Sequence, residues 1–363
     1  MQVICHTPLP EGRGIIVNGR RSGDSMKTAT PGAGRIIGVD LARCLALTAM
    51  YVAHVAPSAG PAGILNLSEF VTAPLFALLM GVSAYLSTER MSFPVLFASS
   101  VVRGIVLIAI GLYINTWDAQ VDIVLPYLGV LSVLIAPLVF LPAWLLGVIS
   151  LLSWWFATTA LTFFTPAYNE QVLSGSYLQY AYQWFFAGTH YQVFTLLVYA
   201  CVGGILARAL GEWGAVGDTV TAIAATGVAG LIYWYATTEL SEFLPYTASR
   251  LEIAFALFLS IAVLGWSCLL ARIFASRAQV FDPLVAAGRM TLSLYVLQIG
   301  VLALYIRYAP AYGLPYNDDS WWMLVLLIAL SLLFAWSWDR LLGRTIARRG
   351  PLESLLALVS GRG

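Results

Sequence analysis

From Ile36 to Leu342 the chain repeats one pattern: apolar runs recur every 20 to 40 residues, separated by short polar, proline- or glycine-containing breaks and by no hydrophilic block. A hydrocarbon core roughly 30 Å thick calls for about 20 apolar residues per helical crossing. Windows of that length predict spans near 36–57, 67–87, 94–115, 121–141, 143–164, 191–210, 217–238, 251–274, 283–306 and 321–342. The narrowest division is Leu141-Pro142-Ala143, between the fourth and fifth runs. The fold class predicted is therefore an all-α, polytopic integral membrane helical bundle of about ten transmembrane helices. Residues 1–34 are polar, lack a continuous apolar stretch of the signal-peptide kind and read as a disordered cytoplasmic tail. Residues 35–342 form the membrane domain. Residues 343–363 form a tail whose "GPLESLLALV" has the look of an amphipathic helix lying along the cytoplasmic leaflet.

Composition sharpens this picture. Sixty per cent of the 363 residues are hydrophobic and 10% are charged, which a soluble domain could carry only by exposing large apolar patches. The net charge of +1 offers no basic surface for nucleic acid, so no nucleic-acid partner is expected. Cys5, Cys44, Cys201 and Cys268 are widely spaced and supply neither a disulfide frame nor a zinc site, and no metal is expected. Lys27 is the only lysine among the cations, the usage of a high-GC bacterium, which places the chain in a bacterial plasma membrane.

Orientation follows from charge. In a ten-span arrangement Arg13, Arg20, Arg21, Lys27, Arg35, Arg90, Arg208, Arg272, Arg277, Arg344, Arg348 and Arg349 fall on one side. Asp118, Glu239, Glu242, Asp318 and Asp319 fall on the other, and Arg250 and Arg307 depart from the trend. The positive-inside rule then makes both termini cytoplasmic. The largest external connection, 165–190, carries Tyr168, Tyr177, Tyr180, Tyr182, Trp184 and His190. Such residues form an interfacial aromatic belt, or a platform on which a sugar ring stacks.

Ionisable residues inside spans are costly and mark sites by default. The first span holds Asp40, Arg43 and His54. At 3.6 residues per turn Arg43 and His54 differ by about 20° around the helix, and Asp40 lies roughly 60° from Arg43. All three share a face, with about 16 Å of helix between Arg43 and His54. The plainer reading is an i,i+3 ion pair with a histidine at the interface. The functional reading is a polar path with an anion-holding arginine at one end and a histidine able to act as a base near neutral pH at the other.

The stretch "RIIGVDLARCLALTAMYVAHVAP", with Arg43 and His54 eleven residues apart, resembles the first helix of the acyltransferase type 3 family of transmembrane acyltransferases. Further segments are similar to the bacterial "domain of unknown function 418" membrane proteins and the heparan-alpha-glucosaminide N-acetyltransferase-like group. They are "APLFALLMGVSAYLS", "RGIVLIAIGLYIN", "VDIVLPYLGVL", "AAGRMTLSLYVLQI" and "RRGPLESLL". The resemblance implies an integral-membrane acyltransferase that takes an acyl group from acetyl-CoA, or another acyl-CoA, in the cytoplasm. The acceptor implied is an extracytoplasmic glycan or glycolipid bearing a hydroxyl or amine.

Carried onto this chain, the resemblance makes His54 the general base or transient acyl carrier, with Glu69 at the start of the next span available to orient it. Arg43, Arg103 and Asp40, helped by Arg35 and Arg289 at the cytoplasmic boundary, would hold the donor's phosphates. Asp122 and Tyr127 at the outer start of the fourth span, and Tyr295 and Gln298 at i,i+3 in the ninth, are expected to meet the acceptor. Each has a plainer alternative: dipole stabilisation for Glu69, positive-inside anchoring for Arg35 and Arg289, and interhelical hydrogen bonding for Tyr295 and Gln298. A different class stays open, a proton-coupled transporter or flippase whose Asp40, Arg43 and His54 line a pathway.

Overall fold

A computed structural model of the protein describes residues 36–210, 212–240, 243–275, 281–343 and 345–361. Arg35 and the amino-terminal tail lie outside the described residues. All the regular elements among the described residues are helical, as a backbone in hydrocarbon requires, because a helix satisfies its N–H and C=O groups within one segment. In chain order they are α1 (Ile37–Val55), a 3-10 turn (Pro61–Asn66), α2 (Leu67–Thr88), α3 (Phe93–Asn115), α4 (Leu125–Leu138), α5 (Ala143–Leu173), α6 (Leu178–Tyr182), a π turn (Gln183–Ala187) and α7 (Val193–Leu206). There follow α8 (Gly214–Glu239), α9 (Arg250–Ile273), α10 (Asp282–Arg289), α11 (Thr291–Tyr308), α12 (Trp321–Leu342) and α13 (Pro351–Val359). Eight are long and apolar enough to cross a membrane, and α4 and α7 are shorter apolar helices at the positions of the fourth and sixth predicted spans.

Two predicted boundaries are corrected. The fifth span does not close at residue 164. α5 continues through Pro166 to Leu173 and stops where Gly175 adopts a left-handed φ of 65°, a conformation glycine takes at helix ends without strain. The expected 165–190 loop is thus largely helical. The ninth span is not continuous either, since it divides at Met290 into α10 and α11. The division lets α10 press against α1 so closely that a Cβ on Gly288 would fall 1.9 Å from the carbonyl oxygen of Asp40.

α1 is the hub, packed against α2, α9, α10, α11 and α12. Its His54 end is tied to α12 by the Ser320 N–H donating to the Val55 carbonyl at 2.9 Å and by a buried 2.7 Å bond between the Tyr51 and Ser331 hydroxyls. α2 and α7 approach backbone to backbone. A Cβ on Gly81 would lie 1.9 Å from Ala200 O, and one on Gly203 would lie 2.0 Å from Leu78 O. Small residues at such crossings give membrane helices their packing contacts. Gly81→Val is expected to force the pair apart at about 1–3 kcal/mol or more. Thermal melting of the purified protein in detergent checks this against Gly227→Ala, where an added Cβ has no atom within 4 Å.

The carboxy-terminal segment forms α13, seated on α11 and α3 rather than only beside the bundle. The Glu353 carboxylate accepts from the Ser293 N–H at 3.0 Å and from the Ser293 hydroxyl, and the Leu352 N–H donates to Ser293 Oγ at 3.1 Å. Glu353 therefore caps the first turn of α11 from a distant part of the chain, satisfying a donor that the break at Met290 would leave open. Burial raises the Glu353 carboxyl above its ordinary 4.5, and the Ser293 bonds oppose this only in part. The folded state thus binds this proton more tightly than the unfolded chain, so stability from this group falls as pH rises from 4.5 through the raised value. Melting temperatures across that window should decline more steeply for the native protein than for Glu353→Gln, which has no proton to lose.

Candidate functional site

α1 carries polar groups at both of its ends. At one end Asp40 is fully buried, and its Oδ1 accepts from Arg43 Nη1 at 2.7 Å. The other terminal nitrogen of Arg43 donates to Ser83 Oγ of α2 at 2.5 Å. One helical turn brings the pair together, and the tight α2 packing brings Ser83 across. Buried charge is tolerated only when it is paired and hydrogen-bonded, and this guanidinium is aimed by two elements. Arg103 sits ten residues into α3, half-buried. Arg289, the last residue of α10, bonds Asp339 of α12 at 2.5 Å, while its Nε is buried without a hydrogen-bond partner.

At the other end His54 lies in the last turn of α1. The Gln298 side chain of α11 reaches it, with Nε2 2.7 Å from His54 Nδ1. Gln298 is 1% exposed, and its Oε1 is buried without a partner. The residue expected to orient the imidazole was Glu69, but the ring's hydrogen bond goes to Gln298. One turn earlier on α11, Tyr295 accepts from the Val124 N–H at 3.3 Å and so holds the start of α4. That contact fixes the backbone beside Asp122, whose carboxylate lies within electrostatic range of the His54 ring. The Asp122 carboxylate contacts His190 Nδ1.

Glu69 lines a small adjoining cleft between α2, α7 and α9, together with His190, Tyr191, Tyr199, Tyr246 and Glu252. Tyr191 packs edge-on against both Tyr127 and Tyr246, with ring centres 5.6 and 5.7 Å apart. Burial holds the Tyr246 phenol above the usual tyrosine range, so it stays protonated. His54, Gln298, Tyr295, Asp122, Tyr127 and Glu69 therefore gather at one end of the bundle. Asp40 and Arg43 stand at the opposite end of α1, and Arg289 adjoins them on α10.

Sequence reasoning passed over Ser83, Tyr199, Glu252 and Asp339, and placed His190 only within an aromatic belt or stacking platform. Glu252 was open to detection, because it is a carboxylate inside an apolar run. Its position in Ser249-x-x-Glu252 also fits a capping box, and Ser249 Oγ does accept from the Glu252 N–H at 3.2 Å. Ser83 and Tyr199 carry no such signal. Among the described residues no group of three histidine, cysteine, aspartate or glutamate side chains is arranged to hold a metal ion.

Gln298 gives the site its first test. Gln298→Leu removes the ring's hydrogen-bond partner while keeping the packing volume, which amounts to about 1–1.5 kcal/mol or roughly a tenfold loss of rate. Steady-state kinetics should show the loss in kcat, with Gln298→Glu recovering more activity than Gln298→Leu because it can again accept from Nδ1.

Compared with known families, residues 36–338 match the model of the type 3 acyltransferases, described as an acyltransferase domain. No curated protein matches the chain.

Proposed function

Because the chain belongs to this acyltransferase domain family, we propose that it moves an acyl group, acetyl in the simplest case, from cytoplasmic acyl-CoA to a hydroxyl or amine of an extracytoplasmic envelope glycan or glycolipid. In class it is a multi-pass helical membrane acyltransferase. The observation that carries the finer reading is the two-ended first helix. Arg43 is aimed by Asp40 and Ser83 at one end, and His54 is held by a buried glutamine at the other. The distribution of arginines makes the Arg43 end cytoplasmic in a bacterial plasma membrane, with both termini on that side.

In this reading Arg43 offers its fork to a phosphate of the donor, with Arg103 and Arg289 as further cations along the way. The extended pantetheine arm then spans the roughly 16 Å of helix to His54. His54 removes the acceptor's proton, the acceptor oxygen or nitrogen bonds to the thioester carbonyl carbon, the C–S bond breaks, and the departing thiolate takes the proton from the imidazolium. Base chemistry at His54 Nε2 requires the proton of the neutral ring to sit on Nδ1. As placed, the Gln298 amide donates to Nδ1, which leaves the proton on Nε2. The two ends of an amide are interchangeable by a 180° turn, and after that turn Gln298 Oε1 accepts from Nδ1–H and Nε2 is free to act. The buried, unpartnered Oε1 supports this turn, because bonding to Nδ1–H would satisfy it.

The deciding experiment is release of free coenzyme A from acetyl-CoA by the purified protein in nanodiscs, with envelope extracts as acceptor. Turnover that needs both acetyl-CoA and extract supports the reading. A well-folded protein that neither binds nor consumes acetyl-CoA overturns it.

A further inference from the structure

α13 is turned the wrong way round for a helix in water. At 100° per residue Leu355, Leu358 and Val359 fall within about 100° of arc, and each is more than half exposed. The inward face carries Glu353, Ser354 and Ser360, with Leu356 and Ala357 as its buried apolar side chains. Glu353 is engaged there by the Ser293 N–H and hydroxyl. The larger apolar surface of the helix therefore points outward, and an amphipathic helix settles with that surface away from water.

The neighbouring crossing fixes what borders this surface. α12 ends at Leu342 and is followed by the turn Ile346–Arg349, in which Ala347 O accepts from the Trp338 indole at 2.9 Å. The turn is thereby held beside the last turns of α12, so α13 begins at the membrane boundary and not beyond it. Trp336 and Leu341 are exposed at the same level, the aromatic and apolar mixture of a membrane–water interface. Arg340 lies with its guanidinium 5.3 Å from the Trp336 ring centre, and Arg348 stands in the turn. Both arginines are exposed, and neither is in a salt bridge among the described residues. An outward apolar face flanked by exposed cations is the complement of acyl chains carrying an anionic headgroup.

We propose that the outward face of α13 is a binding surface for acidic phospholipid, with acyl chains against Leu355, Leu358 and Val359 and the headgroup phosphate at Arg340 and Arg348. The leaflet concerned is the one at the Arg43 end of α1, because α11 starts beside α10, whose Gly288 packs on Asp40. The lipid holds α13 against the bundle and so keeps Glu353 on Ser293, which makes the order of the first turn of α11 depend on the composition of that leaflet. This surface lies apart from the acyl-transfer chemistry, and its test involves neither donor nor acceptor.

The test compares the full chain in nanodiscs of phosphatidylglycerol and of phosphatidylcholine with the same acyl chains, read by thermal melting and hydrogen exchange. Native protein should melt about 4 °C higher in the acidic lipid, and the Ser293 amide should exchange about tenfold more slowly there. Arg340→Gln/Arg348→Gln should melt alike in both lipids, as the native protein does in phosphatidylcholine. Leu355→Gln/Leu358→Gln should lose the added Ser293 protection. A lipid-dependent gap as large in the double-arginine variant as in native protein overturns the surface, as does native protein whose Ser293 amide exchanges equally in the two lipids. Light scattering completes the test: a dimer that Leu355→Gln/Leu358→Gln converts to monomer, with native melting indifferent to the lipid, gives this face to a second copy and overturns the proposal.

Discussion

Replacing His54 with alanine is expected to lower acyl transfer by about 10²- to 10⁴-fold while leaving acetyl-CoA binding within a few-fold of native. The magnitude is that of a positioned general base, and the separation of the two effects follows from geometry. His54 occupies the last turn of α1, whereas the arginine aimed by Asp40 and Ser83 lies three turns away at the other end. The substitution also strips Gln298 of its ring partner inside the bundle, so a stability cost of about 1–3 kcal/mol accompanies it. Melting curves separate that cost from catalysis. Isothermal acetyl-CoA binding with single-turnover transfer checks the prediction, and a His54→Ala protein that transfers at more than a tenth of the native rate would remove His54 from the chemistry.

Arg43→Ala is expected to produce the opposite split, with donor binding weakened by about ten- to a hundredfold and the acceptor side unaffected. A charge-assisted hydrogen bond contributes about 1.5–3 kcal/mol, and each 1.4 kcal/mol is a factor of ten in affinity. Arg43→Lys should recover part of the charge but not the fork that meets Asp40 and Ser83 together. The alanine variant also removes the ion pair from a carboxylate that has no exposure to solvent, and breaking a buried pair from one side costs about 3–5 kcal/mol. The double variant Asp40→Asn/Arg43→Gln relieves that charge imbalance. It should melt higher than Arg43→Ala yet bind acetyl-CoA no better. Titration of acetyl-CoA against both proteins checks this, and restored binding in the double variant would show that Arg43 acts on the fold alone.

Asp40, Arg43 and His54 could be placed on one face from sequence because all three belong to one helix, where spacing converts directly into angle and rise. Gln298 was legible only as a polar group in an apolar run. Its partner His54 is 244 residues away, and hydrogen bonding of that kind more often joins helices than serves a site. Glu69 illustrates the converse. Its nearness to His54 in sequence suggested a contact, but α2 turns it into the neighbouring cleft with His190. Glu252 was legible as a carboxylate in an apolar run, and its Ser249-x-x-Glu252 spacing describes only its local backbone bond. The helix boundaries that departed from expectation share one cause, since hydropathy marks where a segment is apolar and not where its backbone turns. α5 ended at a left-handed glycine, and α11 began where Glu353 supplied a cap.

By itself the sequence determined the solvent, the helical class, the approximate positions of the apolar helices and the polar face of α1. All of these follow from composition and from periodicity within one segment. Only the tertiary structure decided that Gln298 meets His54, that Asp122 contacts His190, that Ser83 completes the cradle of Arg43, and that Glu252 and Tyr199 face one cleft with open hydrogen-bonding atoms. Each of these pairs joins segments far apart in the chain. Their meeting depends on how closely backbones pass at Gly81, Gly203 and Gly288, a property of packed surfaces that no single segment encodes.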